Sequence, residues 1–462
     1  MFGTVYFGLM LYWLLLALIW FTKLAILAFL ATLGVLVVMT TIFAWLLHHG
    51  VHRVRAPLWL ALPVTWTAME WARASLPSTL SFPWLGLGTS LTGFPELVGV
   101  AEIVGARGVT FWVALVNGLV AGVLLRIGGR RRWRRELAAI VLVVGLPMGW
   151  GVWRAETIET RSAARVAVVQ PNVAEHLKLE PEEGRAATAE ALGRLLPRIG
   201  PNDVDLVVLP EVTFPGLFPR GPEASDDLLG LQRFSREIGA PVLFGGLGYT
   251  RDGDDLTPYN SAFVMEPRGL TGFQYDKRFL VPIAERTPFA PLGSLGFLPY
   301  AGTYGVGDGW PLAEVDETRL GVLICYESAY PEASRAFRLE GADVLVNITN
   351  DAWYGREPLY TRTTALWQHP AHMVMRAIEN RTGVARSANT GISLFVDPIG
   401  RVHGSSALFT EDVRIGELLT TDTLTFYTRY GDLLGTASAI VTLLLLVTSI
   451  GPVARRLPGG EP

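Results

Sequence analysis

Charge is almost absent from the first quarter of the chain. Residues 1–125 carry eight charged side chains (Lys23, Arg53, Arg55, Glu70, Arg73, Glu96, Glu102 and Arg107), whereas the other 337 residues carry 73. Apolar runs lie at about 3–20, 24–47, 57–74, 108–126 and 137–153, and a sixth at about 433–451. Each approaches the ~20 residues that carry a helix across ~30 Å of hydrocarbon. Buried helices of a soluble protein are the other reading, but five in succession would need a core with almost nothing polar in it. Eleven of the fourteen tryptophans fall in the first 153 residues. Trp collects at bilayer interfaces because its ring is apolar and its N–H seeks water. The start lacks the positive segment that precedes the apolar run of a secretory signal. A polytopic α-helical membrane bundle is expected.

Basic residues orient that bundle. Arg126 to Arg135 holds six arginines, the segment 48–56 holds Arg53 and Arg55, and the tail holds Arg455 and Arg456. Placing all three clusters on the cytoplasmic side puts the loop 75–107 and the long segment 154–432 outside. The expected organisation is a bundle of about five transmembrane helices over 1–153, a separate extracytoplasmic domain over 154–432, and a transmembrane helix with a cytoplasmic tail over 433–462.

The segment 154–432 reads as soluble and mixed α/β. Short apolar runs end in small or polar residues at 165–170, 205–211, 241–246, 260–265, 320–325, 344–349 and 391–396. Runs of this length bounded by turn signals suggest buried strands. Helical stretches at about 182–197, 226–238, 331–340 and 363–381 alternate with some of them, which argues for a sheet covered by helices. The region 286–310 is rich in Gly, Pro and apolar residues (Phe289, Leu292, Leu295, Phe297, Leu298) and is expected to form a mobile surface lid. Composition removes other classes. The chain is half hydrophobic with a net charge of -3 and a single cysteine. It is too apolar for disorder, carries no basic nucleic-acid footprint, and has no second cysteine for an internal disulfide. No zinc, phosphate-loop or dinucleotide motif occurs, and no cofactor is expected.

Three residues suggest the chemistry. Cys325 closes the run 320–324 and precedes Tyr326 and Glu327. A lone cysteine is more often an inert core residue, but catalytic groups in α/β folds gather at strand ends. A thiol with an ordinary pKa near 8.5 needs a base or a positive charge beside it to act as a nucleophile. Glu211 ends another strand after Pro210. On its own it reads as a solvated carboxylate; beside a thiol it becomes a general base. Lys277 follows Tyr275 and Asp276. Alone it is a surface lysine in a polar turn; near a thiol it stabilises thiolate and oxyanion. His369 and His372 have no third ligand spaced to join them and read as surface or packing residues.

The order Glu211, Lys277, Cys325, with Cys325-Tyr326-Glu327 and Asn350-Asp351-Ala352-Trp353, resembles the carbon–nitrogen hydrolase (nitrilase) superfamily. Further motifs resemble its apolipoprotein N-acyltransferase family: Ser81-Phe82-Pro83-Trp84-Leu85, Leu280-Val281-Pro282 with Glu285, Tyr354-Gly355, Trp367-Gln368-His369, Asn389-Thr390-Gly391-Ile392 and Thr428-Arg429-Tyr430-Gly431-Asp432. The resemblance implies a nitrilase-like αββα sandwich inserted in a membrane bundle of the bacterial cytoplasmic (inner) membrane. It implies Glu211 as base, Lys277 as oxyanion stabiliser and Cys325 as nucleophile, with Glu285, Tyr326, Glu327 and Trp353 in supporting or substrate-binding positions. The implied partners are a phospholipid acyl donor, a diacylglyceryl apolipoprotein acceptor and membrane lipids, with a monomer expected. The family has eight spans where six are read here, so two further spans are expected before residue 1 unless this member is shorter. Ile283-Ala284 stands where the family tends to show Phe-Gly, and Leu209 where a Trp often precedes Pro-Glu. A membrane-anchored amidase using the same three residues, and a non-catalytic membrane protein, stay open as alternatives at this point.

Overall fold

The computed structural model describes residues 1–19, 25–77, 80–125, 133–178, 181–219, 226–253, 255–282, 284–286, 304–356 and 361–450. Most of the expected lid, 287–303 with all five of its named apolar residues, lies outside them, as do Ile283, arginines 126–132 and the tail.

The apolar part folds into helices α1 (Phe2–Met10), α2 (Tyr12–Ile19), α3 (Ala25–His52), α4 (Leu58–Ser75), α5 (Ala101–Leu124) and α6 (Trp133–Thr157), joined by the C-terminal helix Leu433–Ile450. All six expected spans are helical, but they are not equivalent. Among the described residues α3, α5 and residues 134–157 of α6 are each long and apolar enough to cross a membrane. The first expected span is broken: α1 and α2 meet at a 47° bend, the shape of a broken span or a re-entrant loop. α4 carries Glu70 and Arg73 near its end and buries both, and the apolar stretch Leu433–Thr448 is shorter. Helix α5 is kinked at Gly105, whose φ of 68° is a left-handed conformation that favours glycine. A Cβ there would overlap the Tyr427 ring.

The second part contains thirteen described strands. They are β1 (Arg161–Gln170), β2 (Leu206–Val208), β3 (Phe214–Pro219), β4 (Val242–Asp252), β5 (Asp255–Glu266), β6 (Gly269–Asp276), β7 (Ala313–Val315), β8 (Thr318–Ile324), β9 (Val344–Thr349), β10 (Val384–Ala388), β11 (Leu394–Val396), β12 (Val402–His403) and β13 (Asp412–Thr420). One sheet runs β13-β1-β2-β4-β5-β6 with β3 beside β4, and the other runs β12-β11-β10-β9-β8-β7. The alternation along β1 explains the layering. Val166 and Val168 face the core shared with the second sheet, while Ala167 and Val169 face helices Pro181–Leu195 and Asp226–Ile238. A strand with period 2 that is apolar on both faces must be covered on both. Helices Pro331–Leu339 and Ala365–Asn380 cover the second sheet. The arrangement is the αββα sandwich.

Buried polar contacts bolt the sandwich to the helices. Glu102 on α5 accepts from Arg381 Nε and Arg154 Nε, both at 2.8 Å. Arg107 pairs with Glu332 at 3.0 Å and Asp432 at 2.7 Å. The loop between α4 and α5 sends Trp84 into the domain, fully buried, where its indole N–H donates to Gln368 at 2.8 Å. Removing one partner of the buried Glu102–Arg381 pair would leave an uncompensated charge and be strongly destabilising.

Candidate active site

The chain delivers the three chemistry-bearing residues from the ends of strands in both sheets. Cys325 is the first residue after β8 and begins a 3-10 turn, Cys325–Ala329. Its φ is 53°, an uncommon value for a residue with a side chain and a mark of a backbone held by its surroundings. Lys277 follows β6 directly. Glu211 lies three residues beyond the end of β2. All three are buried, at 6%, 1% and 6% exposure respectively. Lys277 is thus not the surface lysine that a polar turn taken alone would suggest: it follows β6 into the buried site.

Lys277 Nζ donates to Glu285 Oε1 at 2.9 Å and to Glu211 Oε1 at 3.3 Å. These two carboxylates push the ammonium well above its ordinary pKa despite burial, so Lys277 is charged. The Cys325 thiol feels both Glu211 and Lys277. Burial and the negative Glu211 push it far up, and Lys277 offsets only part of this, so the resting group is the neutral thiol.

Each carboxylate is held by more than the lysine. Glu211 Oε1 accepts from Asn260 Nδ2 at 2.7 Å, and Oε2 accepts from the Asn350 backbone N–H at 2.8 Å. Asn260 also donates to Glu285 Oε1 at 2.9 Å, and Glu285 Oε2 accepts from Val281 N–H at 2.7 Å. Glu327 ties the loop after β6 to the turn after β8. Its Oε1 accepts from Tyr275 O–H at 2.7 Å and Arg278 N–H at 2.8 Å, and its Oε2 from Ile324 N–H at 2.8 Å. Tyr326 points the other way: its O–H donates to Ser81 O at 3.3 Å and its ring stacks on Trp84, 6.0 Å between centroids. Trp353 is half-buried in the turn Asp351–Tyr354.

The Glu211 loop depends on a glycine. A Cβ on Gly245 would lie 2.6 Å from Val212 N, 2.7 Å from Glu211 Cα and 2.8 Å from Pro210 O, all backbone atoms that cannot swing aside. Gly245→Ala is expected to displace Glu211 and lower turnover at this site by ~10²-fold, the scale of a 1 Å misplacement. Steady-state rates on the purified variant check this; wild-type turnover would show that the loop tolerates the shift.

Two site residues escaped the sequence reading. Asn260 lay hidden inside an apolar strand. His369, read as surface or packing, has no exposed surface, and its ring contacts Asp351 Oδ1 through Nδ1 at 2.8 Å and the Cys325 carbonyl through Nε2 at 3.1 Å. His372 is also buried, packed against Trp84. For His369 the available signal was its place in the Trp367-Gln368-His369 motif. Among the described residues no group of His, Cys, Asp and Glu is arranged to hold a metal ion.

The two-sheet fold is that of a carbon–nitrogen hydrolase, and residues 165–423 match the Carbon-nitrogen hydrolase family. A solved carbon–nitrogen hydrolase from Helicobacter pylori G27 aligns at 17% identity and a TM-score of 0.40, covering 65% of this chain and 96% of that one. Residues 1–119 match the Apolipoprotein N-acyltransferase N-terminal domain. The chain is 33% identical over 438 residues to the apolipoprotein N-acyltransferase of Geobacter metallireducens, spanning 91% of this chain and 80% of that one. It is 29% identical over 430 residues to that of Chlorobaculum tepidum, spanning 85% and 77%. The chain belongs to the apolipoprotein N-acyltransferase family.

Proposed function

We propose that this chain transfers a fatty acyl group from a membrane phospholipid to the N-terminal amine of a diacylglyceryl-cysteine lipoprotein, through a thioester on Cys325. The observation that carries the reading is the buried meeting of Glu211, charged Lys277 and the Cys325 thiol, in a chain whose relatives bear the transferase name over most of its length. Those relatives also weigh against the amidase alternative.

Glu211 takes the Sγ proton as sulfur attacks the ester carbonyl. Lys277 stabilises the developing oxyanion, where a preorganised charge in a dry site is most effective. The tetrahedral adduct collapses, the C–O bond breaks, and the leaving glycerol oxygen receives the proton held by Glu211. Lysophospholipid departs and the acyl thioester remains. The lipoprotein α-amino group, with a pKa near 7.7–8.0, then attacks the thioester. It gives its excess proton to Glu211, which returns it to the departing sulfur. Covalent catalysis thus splits one difficult transfer into two easier ones, and the burial of Cys325 keeps water from competing. Glu285 holds Lys277, Glu327 holds the two loops together, Tyr326 anchors the nucleophile's turn to the loop carrying Ser81 and Trp84, and Trp353 shapes the acyl site.

The domains follow the same reading: a membrane bundle to 153, an extracytoplasmic catalytic domain over 154–432 facing the outer side of the inner membrane, and a returning helix. A monomer is part of the same proposal. The test uses purified chain in vesicles with a labelled phospholipid and a synthetic diacylglyceryl lipopeptide. Labelled acyl group on the lipopeptide amine is expected. Label released only as free fatty acid would show a hydrolase and overturn the proposal.

A further inference from the structure

We infer that His369 is a positioning residue for this reaction: through the Cys325 carbonyl it sets the peptide plane that aims the Tyr326 N–H at the oxyanion. The inference rests on the thioester reading above and adds a residue to it.

The geometry starts at the carbonyl. His369 Nε2 lies 3.1 Å from Cys325 O. A carbonyl oxygen only accepts, so the proton of this bond sits on Nε2. A trans peptide is planar, with its C=O and N–H pointing in opposite directions. Holding the Cys325 carbonyl on the His369 side therefore turns the Tyr326 N–H to the other side. That N–H belongs to the first residues of the turn Cys325–Ala329, where a helix start provides no intrahelical acceptor. The left-handed φ of Cys325 needs an external hold to persist, and the carbonyl bond supplies one.

The ring itself is fixed from every side. Nδ1 lies 2.8 Å from Asp351 Oδ1, and Asp351 Oδ2 accepts from Arg386 Nη2 at 2.7 Å. Arg386 continues to Asn347, which donates to the Leu323 carbonyl in β8 at 3.0 Å. The chain of contacts thus begins and ends on the strand and turn that carry the nucleophile. Trp84 packs on one side of the imidazole and Tyr354 meets it edge-on, at 5.3 and 5.6 Å between centroids. All of His369, Asp351, Arg386 and Asn347 are fully buried. Two acceptor oxygens favour a ring protonated at both nitrogens, whereas burial and the Arg386 charge push the imidazole pKa down. The carbonyl bond needs a proton on Nε2, which the imidazolium and the Nε2–H tautomer carry and the Nδ1–H tautomer does not; Arg386 Nη2, 3.2 Å from Nδ1, can donate to that nitrogen in the Nε2–H tautomer. Nothing in core packing asks for a buried histidine here; a Phe or Leu would fill the volume without two acceptors to satisfy.

The test separates aiming an oxyanion donor from holding the fold. Wild type, His369→Ala and His369→Gln are mixed with phosphatidylethanolamine–phosphatidylglycerol vesicles, and the single-turnover rate of acyl-enzyme formation is followed. In parallel, Cys325 is alkylated with iodoacetamide, a displacement with no oxyanion. The expected result is a ~10²-fold loss of acylation in His369→Ala, the scale of losing one oxyanion donor. Alkylation and the KM for vesicles stay within a few-fold of wild type. His369→Gln, whose amide N–H can reach a carbonyl, recovers much of the lost rate. Normal acylation by His369→Ala would overturn the inference, and so would acylation and alkylation falling together or a Gln variant no better than Ala. The parent reading fails separately: a wild-type chain that acylates Cys325 but never passes the group to a lipopeptide amine contradicts the proposed function and leaves the His369 result standing.

Discussion

Replacing Cys325 by alanine removes acyl transfer, with turnover expected to fall by ~10⁶-fold, the scale for deleting a covalent nucleophile. The reason is local. Glu211 and Lys277 are bonded to each other and to Asn260, so both stay in place when sulfur is removed. What remains is a charged site with no atom to carry the acyl group. The loss falls on turnover and not on folding. Cys325 is small, and Ala fills most of its space beside Thr349 and Tyr354, with at most a modest cavity cost. Thermal unfolding close to wild type, together with absent transfer in the vesicle assay, is the expected pair of results. Cys325→Ser gives the same outcome, because an alkoxide is harder to form than a thiolate. The neutral resting thiol adds a pH signature. Burial and Glu211 raise its pKa, so the thiolate form is lost below the raised value. Cys325→Ala and wild type should therefore show no difference in thiolate absorbance up to about pH 9, where an ordinary thiol of pKa near 8.5 is mostly thiolate.

Lys277→Met is expected to damage both catalysis and stability. Its ammonium is buried and donates to Glu285 and Glu211. Removing it leaves two carboxylates facing one cavity with Asn260 as their shared donor. Breaking one partner of a buried pair costs ~3–5 kcal/mol. Turnover falls by at least ~10³-fold, since a charged oxyanion stabiliser is lost with its field. The pH dependence has a definite sign. Like charges sharing a site favour uptake of one proton in the folded state. A proton gained on folding makes stability fall as pH rises. In wild type the Lys277 pKa lies well above ordinary, and its contribution is present throughout the neutral range and lost only at strongly alkaline pH. Thermal unfolding of both proteins from pH 6 to about pH 8 separates them: flat for wild type, falling for the variant. A Lys277→Met protein as stable as wild type at the higher pH would contradict the ion-pair geometry.

The large features were legible because they follow from periodicity. Apolar runs of membrane length became helices, and short apolar runs such as 165–170 and 344–349 became buried strands. Elements built on tertiary pairing were harder to read. β6, Gly269–Asp276, has no apolar run and exists because it pairs with β5. For that reason the local sequence around Lys277 suggested only a polar turn, and its place at the site came from the resemblance. β13, Asp412–Thr420, joins the first sheet only by pairing with β1 across most of the domain. Glu211 and Cys325 stood out because each closes an apolar run, whereas Lys277 was picked out by the motif order of the resemblance. The residues that support them did not stand out. His369 is separated in sequence from Asp351 by 18 residues, from Arg386 by 17 and from Cys325 by 44. No local spacing brings such residues together; only the packing of Ala365–Asn380 over the second sheet does. α4 was read as an ordinary span, yet it buries Glu70 and Arg73 near its junction with the domain, a role that hydropathy cannot express.

The most direct check of the account is the mass of the peptide that contains Cys325. Purified chain is incubated with phospholipid vesicles and no acceptor, then digested under conditions that preserve thioesters. The account predicts one added acyl group on Cys325, removed when a lipopeptide amine is supplied and absent from Cys325→Ala. A chain that transfers acyl groups while Cys325 stays unmodified, or that carries the adduct on another residue, would contradict it.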